Sequence, residues 1–244
     1  MFTGFERGAF EFFMALQFNN NREFFHSNHA WYQASVRGPL SALCMDLAPG
    51  MLALDGELEV RPSRVISHIN RDLRFSRDKS PYRDYMWLGY HRTGWPKRDC
   101  FHFYFDISAQ SAHAGAAMYG DDRAWMDGIR RLIREDPARM AALLESARAA
   151  GFELKGQQYR RIARPEGLEG DLARWYACRS FYLERDLAPR ELESAALVEQ
   201  LLAGFGALKP VYDLMYQVRP ERAPDAGEAG LRRIMDAPDA DDDL

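Results

Sequence analysis

The sequence predicts an α+β fold, an antiparallel or mixed sheet meander flanked by N-terminal, central and C-terminal helices. Three observations predict it. Tyr32, Val36, Leu40, Leu43 and Leu47 recur at steps of four, four, three and four, one face of an amphipathic helix. The middle of the chain switches to a period of two, with Phe101, Phe103, Phe105 and Ile107 on one side and His102, Tyr104 and Asp106 on the other. Helical spacing then returns through Leu197, Leu201, Phe205, Leu208, Tyr212 and Met215.

Taken in order, Gly8–Leu16 reads as a helix that Asn19, Asn20 and Asn21 stop. Asn20 or Asn21 caps a short helix from Arg22 to His26, because an Asn side chain accepts from the free N–H groups of a first turn. The Tyr32–Leu47 helix ends at Pro49-Gly50, and Pro39 marks a kink or a new first turn. Arg64–Ser67 reads as a short strand. Tyr85–His91, Phe101–Ser108 and Ala112–Tyr119 follow as strands whose connections are short enough for antiparallel neighbours. Asp121-Asp122 caps a helix with Trp125, Ile129, Leu132 and Ile133 on its apolar face, Asp136-Pro137 restarts it, and Gly151 stops it. Phe152–Ile162 and Cys178–Leu183 add strands around a loop at Pro165–Gly170. Pro189 opens a long last helix that Pro210 interrupts. Residues 1–218 form one α+β domain, and 219–244 an acidic, flexible tail with four basic against eight acidic residues.

That tail accounts for the whole net charge of −4, so the body is neutral. A neutral body offers no general attraction for nucleic acid or acidic membranes, and any anion recognition has to be local. Cys44, Cys100 and Cys178 are odd in number and far apart, which fits reduced thiols and gives neither a zinc knuckle nor a redox pair. No stretch approaches the ~20 apolar residues that span a bilayer. The N-terminus lacks a signal-peptide core, so the reading is cytoplasmic.

The one strongly charged stretch is His68–Arg83, with five basic residues (Arg71, Arg74, Arg77, Lys79, Arg83) and two acidic ones (Asp72, Asp78). Arginine grips a carboxylate or phosphate with a planar fork and lysine adds a compact charge. This chemistry makes Arg71, Arg74, Ser76, Arg77 and Tyr82 candidates for binding a small phosphorylated or carboxylated ligand, with Arg179 as a distant recruit. Asp72, Asp78 and Lys79 are the candidate catalytic groups, as base, orienting partner and anion holder. The same residues also read as an ion-pair network that pins a loop, with Phe75 and Tyr82 as its apolar anchors.

The string Arg71-Asp-Leu-Arg-Phe-Ser-Arg-Asp-Lys-Ser-Pro-Tyr82 resembles the domain of unknown function 2461 family. Phe5, Asn20 with Arg22 and Phe25, the Phe101–Asp106 strand, the small residues before Tyr119-Gly120 and the Phe181-Tyr182 region are similar to it as well. The resemblance spans Met1 to about Tyr216 and implies an α+β fold, without an activity to carry over. Phe25 departs from the Trp that members often have there.

Other chemistries leave weaker traces. His26 and His29 are three apart, but no His-Glu-x-x-His signature supports a metal site, and no cofactor is called for. Glu153-Leu154-Lys155 has the acidic-x-Lys form of some metal-dependent nucleases, with no paired upstream Asp evident. Small-ligand binding is therefore the leading expectation. A scaffolding protein that contacts protein or nucleic acid, and a nuclease-like hydrolase, are the alternatives.

Overall fold

On strand β2 (Phe101–Ser108), Phe101, Phe103, Phe105 and Ile107 are fully buried and the residues between them are half-exposed. Both β1 (Tyr85–Tyr90) and β3 (Ala112–Met118) pair antiparallel with it. Beyond β3 come β5 (Cys178–Asp186) and then β4 (Glu153–Gln158), so the order is β1-β2-β3-β5-β4 and all four pairings are antiparallel. The computed structural model describes residues 1–74, 77–95, 99–118 and 120–219.

The helices pack onto the side where the Phe101–Ile107 row points. They are α1 (Arg7–Phe18), α2 (Arg22–Ser27), α3 (His29–Tyr32), α4 (Gly38–Leu54), α5 (Pro62–Val65), α6 (Arg123–Glu135), α7 (Pro137–Ala149), α8 (Gly170–Ala177), α9 (Pro189–Leu192) and α10 (Leu197–Gln217). The last of these lies along β2 and β3, where Phe103 stacks on Tyr212 at 4.6 Å and meets Phe205 at 5.2 Å. Phe5 stacks on Phe105 at 5.8 Å, bringing the N-terminus onto the same core. The buried Trp125 indole donates to the Met215 carbonyl at 2.6 Å and ties α6 to α10. The Asn21 and Asp122 side chains cap α2 and α6 by accepting from Phe24 N and Trp125 N.

Four local expectations are corrected. A π-helical turn at Gln33–Arg37 leads from α3 into α4, Pro39 stands in the first turn of α4, and the helix passes Pro49-Gly50 to reach Leu54. Burial of Leu47 and Met51 on either side of Pro49 carries it through, and the prolyl ring faces outward. Pro62–Val65 is a helical turn rather than a strand, and Ile66 alone bridges to Leu88. Between the expected Pro165–Gly170 loop and the Cys178 strand stands a helix that the spacing did not predict, Gly170–Ala177, where Ala173, Trp175 and Tyr176 are buried. The long helix starts at Leu197, not Pro189, and Pro210 sits inside it without ending it. Most of the acidic tail, from residue 220 on, lies outside the described residues, as do Phe75 and Tyr119.

Candidate functional site

The charged stretch forms a closed loop beside β1. Arg71 N donates to Pro81 O at 2.9 Å and Arg83 N to Ile69 O at 2.8 Å, around an Asn70–Tyr82 bridge. Inside the loop the charges answer one another. Arg71 pairs with Asp78, and Arg74 grips Asp72 with a fork of 3.0 and 2.7 Å. Lys79 Nζ donates to Leu73 O at 3.0 Å, and the Arg83 guanidinium donates to the carbonyls of His68 and Asn70. The Arg74 guanidinium, with the Arg74 N–H, holds the Asp72 carboxyl down at about 2. The Ser80 backbone N–H and hydroxyl, helped by Arg71, hold Asp78 at about 2 as well.

Tyr82 is the anchor. Its ring is buried and stacks on Phe25 at 4.2 Å, while Asn20 donates to its carbonyl at 2.9 Å and accepts from its N–H at 3.0 Å. Burial raises its phenol above the ordinary value. Among the expected binding groups, Arg71 and Arg74 are thus turned to aspartates. Arg77 is exposed, with no ion pair among the described residues, and Ser76 lies outside them. Arg179 is not brought here. It stands on β5, which β2 and β3 separate from β1, where it pairs with Asp121 and approaches the Tyr159 ring just beyond β4.

A second polar cluster, in which the sequence pointed only to Glu153 and Lys155, lies on the solvent-facing side of the sheet. Strand register lays it out in rows. Trp87, Asp106, His113 and Asp186 form one row across β1, β2, β3 and β5. Gly89, Tyr104, Gly115, Glu184 and Glu153 form the next, and Ala117, Tyr182 and Lys155 follow in a third beside His102. His113 Nδ1 lies 2.8 Å from Asp106 Oδ1. Glu184 accepts from the Tyr104 hydroxyl at 2.6 Å and from Lys155 Nζ at 2.8 Å. Lys155 Nζ also stands 3.7 Å from Asp186.

Glycine at 115 makes this possible. A Cβ there would stand 2.1 Å from the Leu183 carbonyl oxygen and 3.1 Å from the Tyr104 ring, so only a bare Cα lets Tyr104 reach across β3 to Glu184. Burial pushes the Asp106 carboxyl above its ordinary value and the Glu184 charge adds to this, against the pull of His113. Lys155 is raised by its hydrogen bond to Glu184 and stays charged. Burial and the same carboxylate keep Tyr104 protonated. Asp106, His113 and Glu184 each offer a ligand atom, all within 4.8 Å of one another.

The chain matches the family model described as "Conserved hypothetical protein (DUF2461)" over residues 8–214. It belongs to that family. No curated protein matches the chain. The DUF2461 match contains both the pinned loop and the sheet cluster, so both lie within the family domain. Among the described residues of this DUF2461 chain, no helix is long and apolar enough to cross a membrane.

Proposed function

We propose that this DUF2461 chain is an enzyme of hydrolase type, acting on a small polar substrate at the solvent-facing side of its sheet. One observation carries the reading. Five ionisable groups (Tyr104, Asp106, His113, Lys155 and Glu184) from four adjacent strands meet half-buried on this face. Desolvating such groups costs free energy, and clusters held against that cost are concentrated where chemistry is done. The carboxylates and imidazole can accept protons, and the Lys155 ammonium can neutralise charge that develops on a substrate oxygen. The Glu153-Leu154-Lys155 run supplies Lys155 to this face, which favours the hydrolase alternative over scaffolding.

The test is a panel of small phosphate and carboxylate esters, with binding followed by ligand-observed NMR and turnover by product release. Glu184→Gln and His113→Ala are expected to reduce turnover by at least about 100-fold, with Arg74→Ala unchanged. Equal binding and turnover in all three variants would overturn the reading.

Small-anion binding at residues 68–83 is the second reading. It is favoured by the loop's charge of +3 and by Arg77, which is exposed and has no carboxylate partner among the described residues. An anion would compete there with Asp72 and Asp78, whose pairs are solvent-exposed and therefore weak. Phosphate titration of the loop amides checks it, and a response that survives Arg77→Ala with Lys79→Ala removes it. We infer a cytoplasmic setting from three buried cysteines, Cys44, Cys100 and Cys178, that form no disulfide.

A further inference from the structure

We propose that Asp106, His113 and Glu184 hold a divalent cation on the solvent-facing side of the sheet. The inference deepens the hydrolase reading and rests on it for the use to which the ion is put. The donors are two carboxylates and one imidazole from β2, β3 and β5, with ligand atoms within 4.8 Å of one another. Ligands about 2.1 Å from one first-row ion stand roughly 3–4 Å apart, so small side-chain rotations bring the three donors onto it. Oxygen donors suit Mn²⁺ and imidazole suits Zn²⁺ and Fe²⁺, so the mixed set fits a borderline ion better than Ca²⁺.

Charge points the same way. Among the groups that touch, Asp106, Glu184 and Asp186 are opposed by Lys155 alone, with His113 neutral as a ligand must be. Two negative charges remain, which a divalent ion cancels. Strand pairing fixes the ligands from below, since Asp106 and His113 are direct partners and Glu184 sits one row along. All three are only partly exposed, so each is held by its neighbours, while the outward side stays open to water and substrate.

Partners for the ligands are also in place. Tyr104 donates to Glu184 Oε2 at 2.6 Å and leaves Oε1 for the ion, which makes Tyr104 a positioning residue. Lys155 now occupies Oε1 at 2.8 Å, but Asp186 stands 3.7 Å from the same ammonium and can take it over. Lys155 thus competes with the ion for Glu184. Once displaced, it would flank the ion.

The experiment uses the full chain, stripped with chelator and titrated with Mn²⁺ by electron paramagnetic resonance and with Zn²⁺ by calorimetry. One saturable site is expected. Asp106→Asn, His113→Ala and Glu184→Gln should each weaken it by at least about tenfold, and Tyr104→Phe by about tenfold. Lys155→Met should tighten it, an outcome that a misfolded site would not give. Circular dichroism and thermal melts confirm that each variant is folded. Absence of a saturable site, or an affinity in Asp106→Asn and Glu184→Gln equal to that of the unsubstituted chain, would overturn the proposal. Turnover that persists in chelator yet falls in Glu184→Gln would remove the ion and leave the hydrolase reading. A bound ion with no turnover of any ester would do the reverse.

Discussion

Tyr82 and its neighbours show how a charged string becomes a structural pin. Asn20 closes two hydrogen bonds onto the Tyr82 backbone across 62 residues, and Phe25 covers the ring. Asn20→Ala should therefore cost about 1–3 kcal/mol in denaturant unfolding, since it leaves a partly buried N–H and C=O unpaired. The aspartates of the loop give a pH prediction. Both carboxyls sit at about 2 in the folded chain, below the ~3.9 of an unfolded Asp. Their contribution is full above about pH 4 and is lost as the pH falls through about 2. Carboxyl-carbon NMR should find those midpoints, and Arg74→Ala should return Asp72 toward its ordinary value while leaving Asp78 low. At this scale the sequence was half legible. Arg71, Asp72, Arg74 and Asp78 are visible as charges in the chain, but which arginine meets which aspartate depends on a loop closed by Asn70 and Tyr82.

Elements were legible wherever periodicity ran long enough. The β2 boundaries and the face of α10 both follow from spacing alone. Gly170–Ala177 was hidden because eight residues give barely two helical turns, and Gly167 and Gly170 beside it read as loop punctuation. Proline misled in α4 and α10 for one physical reason. A lost backbone hydrogen bond on an outward face is outweighed by the apolar contacts of the next turn. Two predictions belong here. Gly115→Ala puts a Cβ into the Leu183 carbonyl and should part β3 from β5, at about 1–3 kcal/mol. The Tyr104–Glu184 contact should go with it, visible as a shifted Tyr104 ring resonance. Tyr212→Phe removes a 2.7 Å bond to Asp55, which Arg92 also holds at 2.8 Å, and should cost about 1–3 kcal/mol in thermal unfolding.

For the whole molecule, the sheet divides labour between its two sides. Phe103 lies between Tyr212 and Phe205 on the helix side, and Phe103→Ala should cost about 3–5 kcal/mol as a core cavity. All three cysteines are buried as well, so a thiol reagent should react only at the rate of unfolding. The opposite side carries the ionisable cluster. The sequence by itself determined the α+β class, the alternating strand, the helical C-terminal face and the family marker at residues 71–82. Each of these is encoded in neighbours a few residues apart, where side-chain period and backbone propensity act directly. Only the tertiary structure decided that the marker loop spends its charges on itself, and that Asp106, His113, Lys155 and Glu184 stand together. Asp106 and Glu184 are 78 residues apart in the chain, and only the β2-β3-β5 pairing makes them neighbours. A side chain's direction on a strand is local, but its neighbours across the sheet are fixed by register, which the packing of distant segments sets.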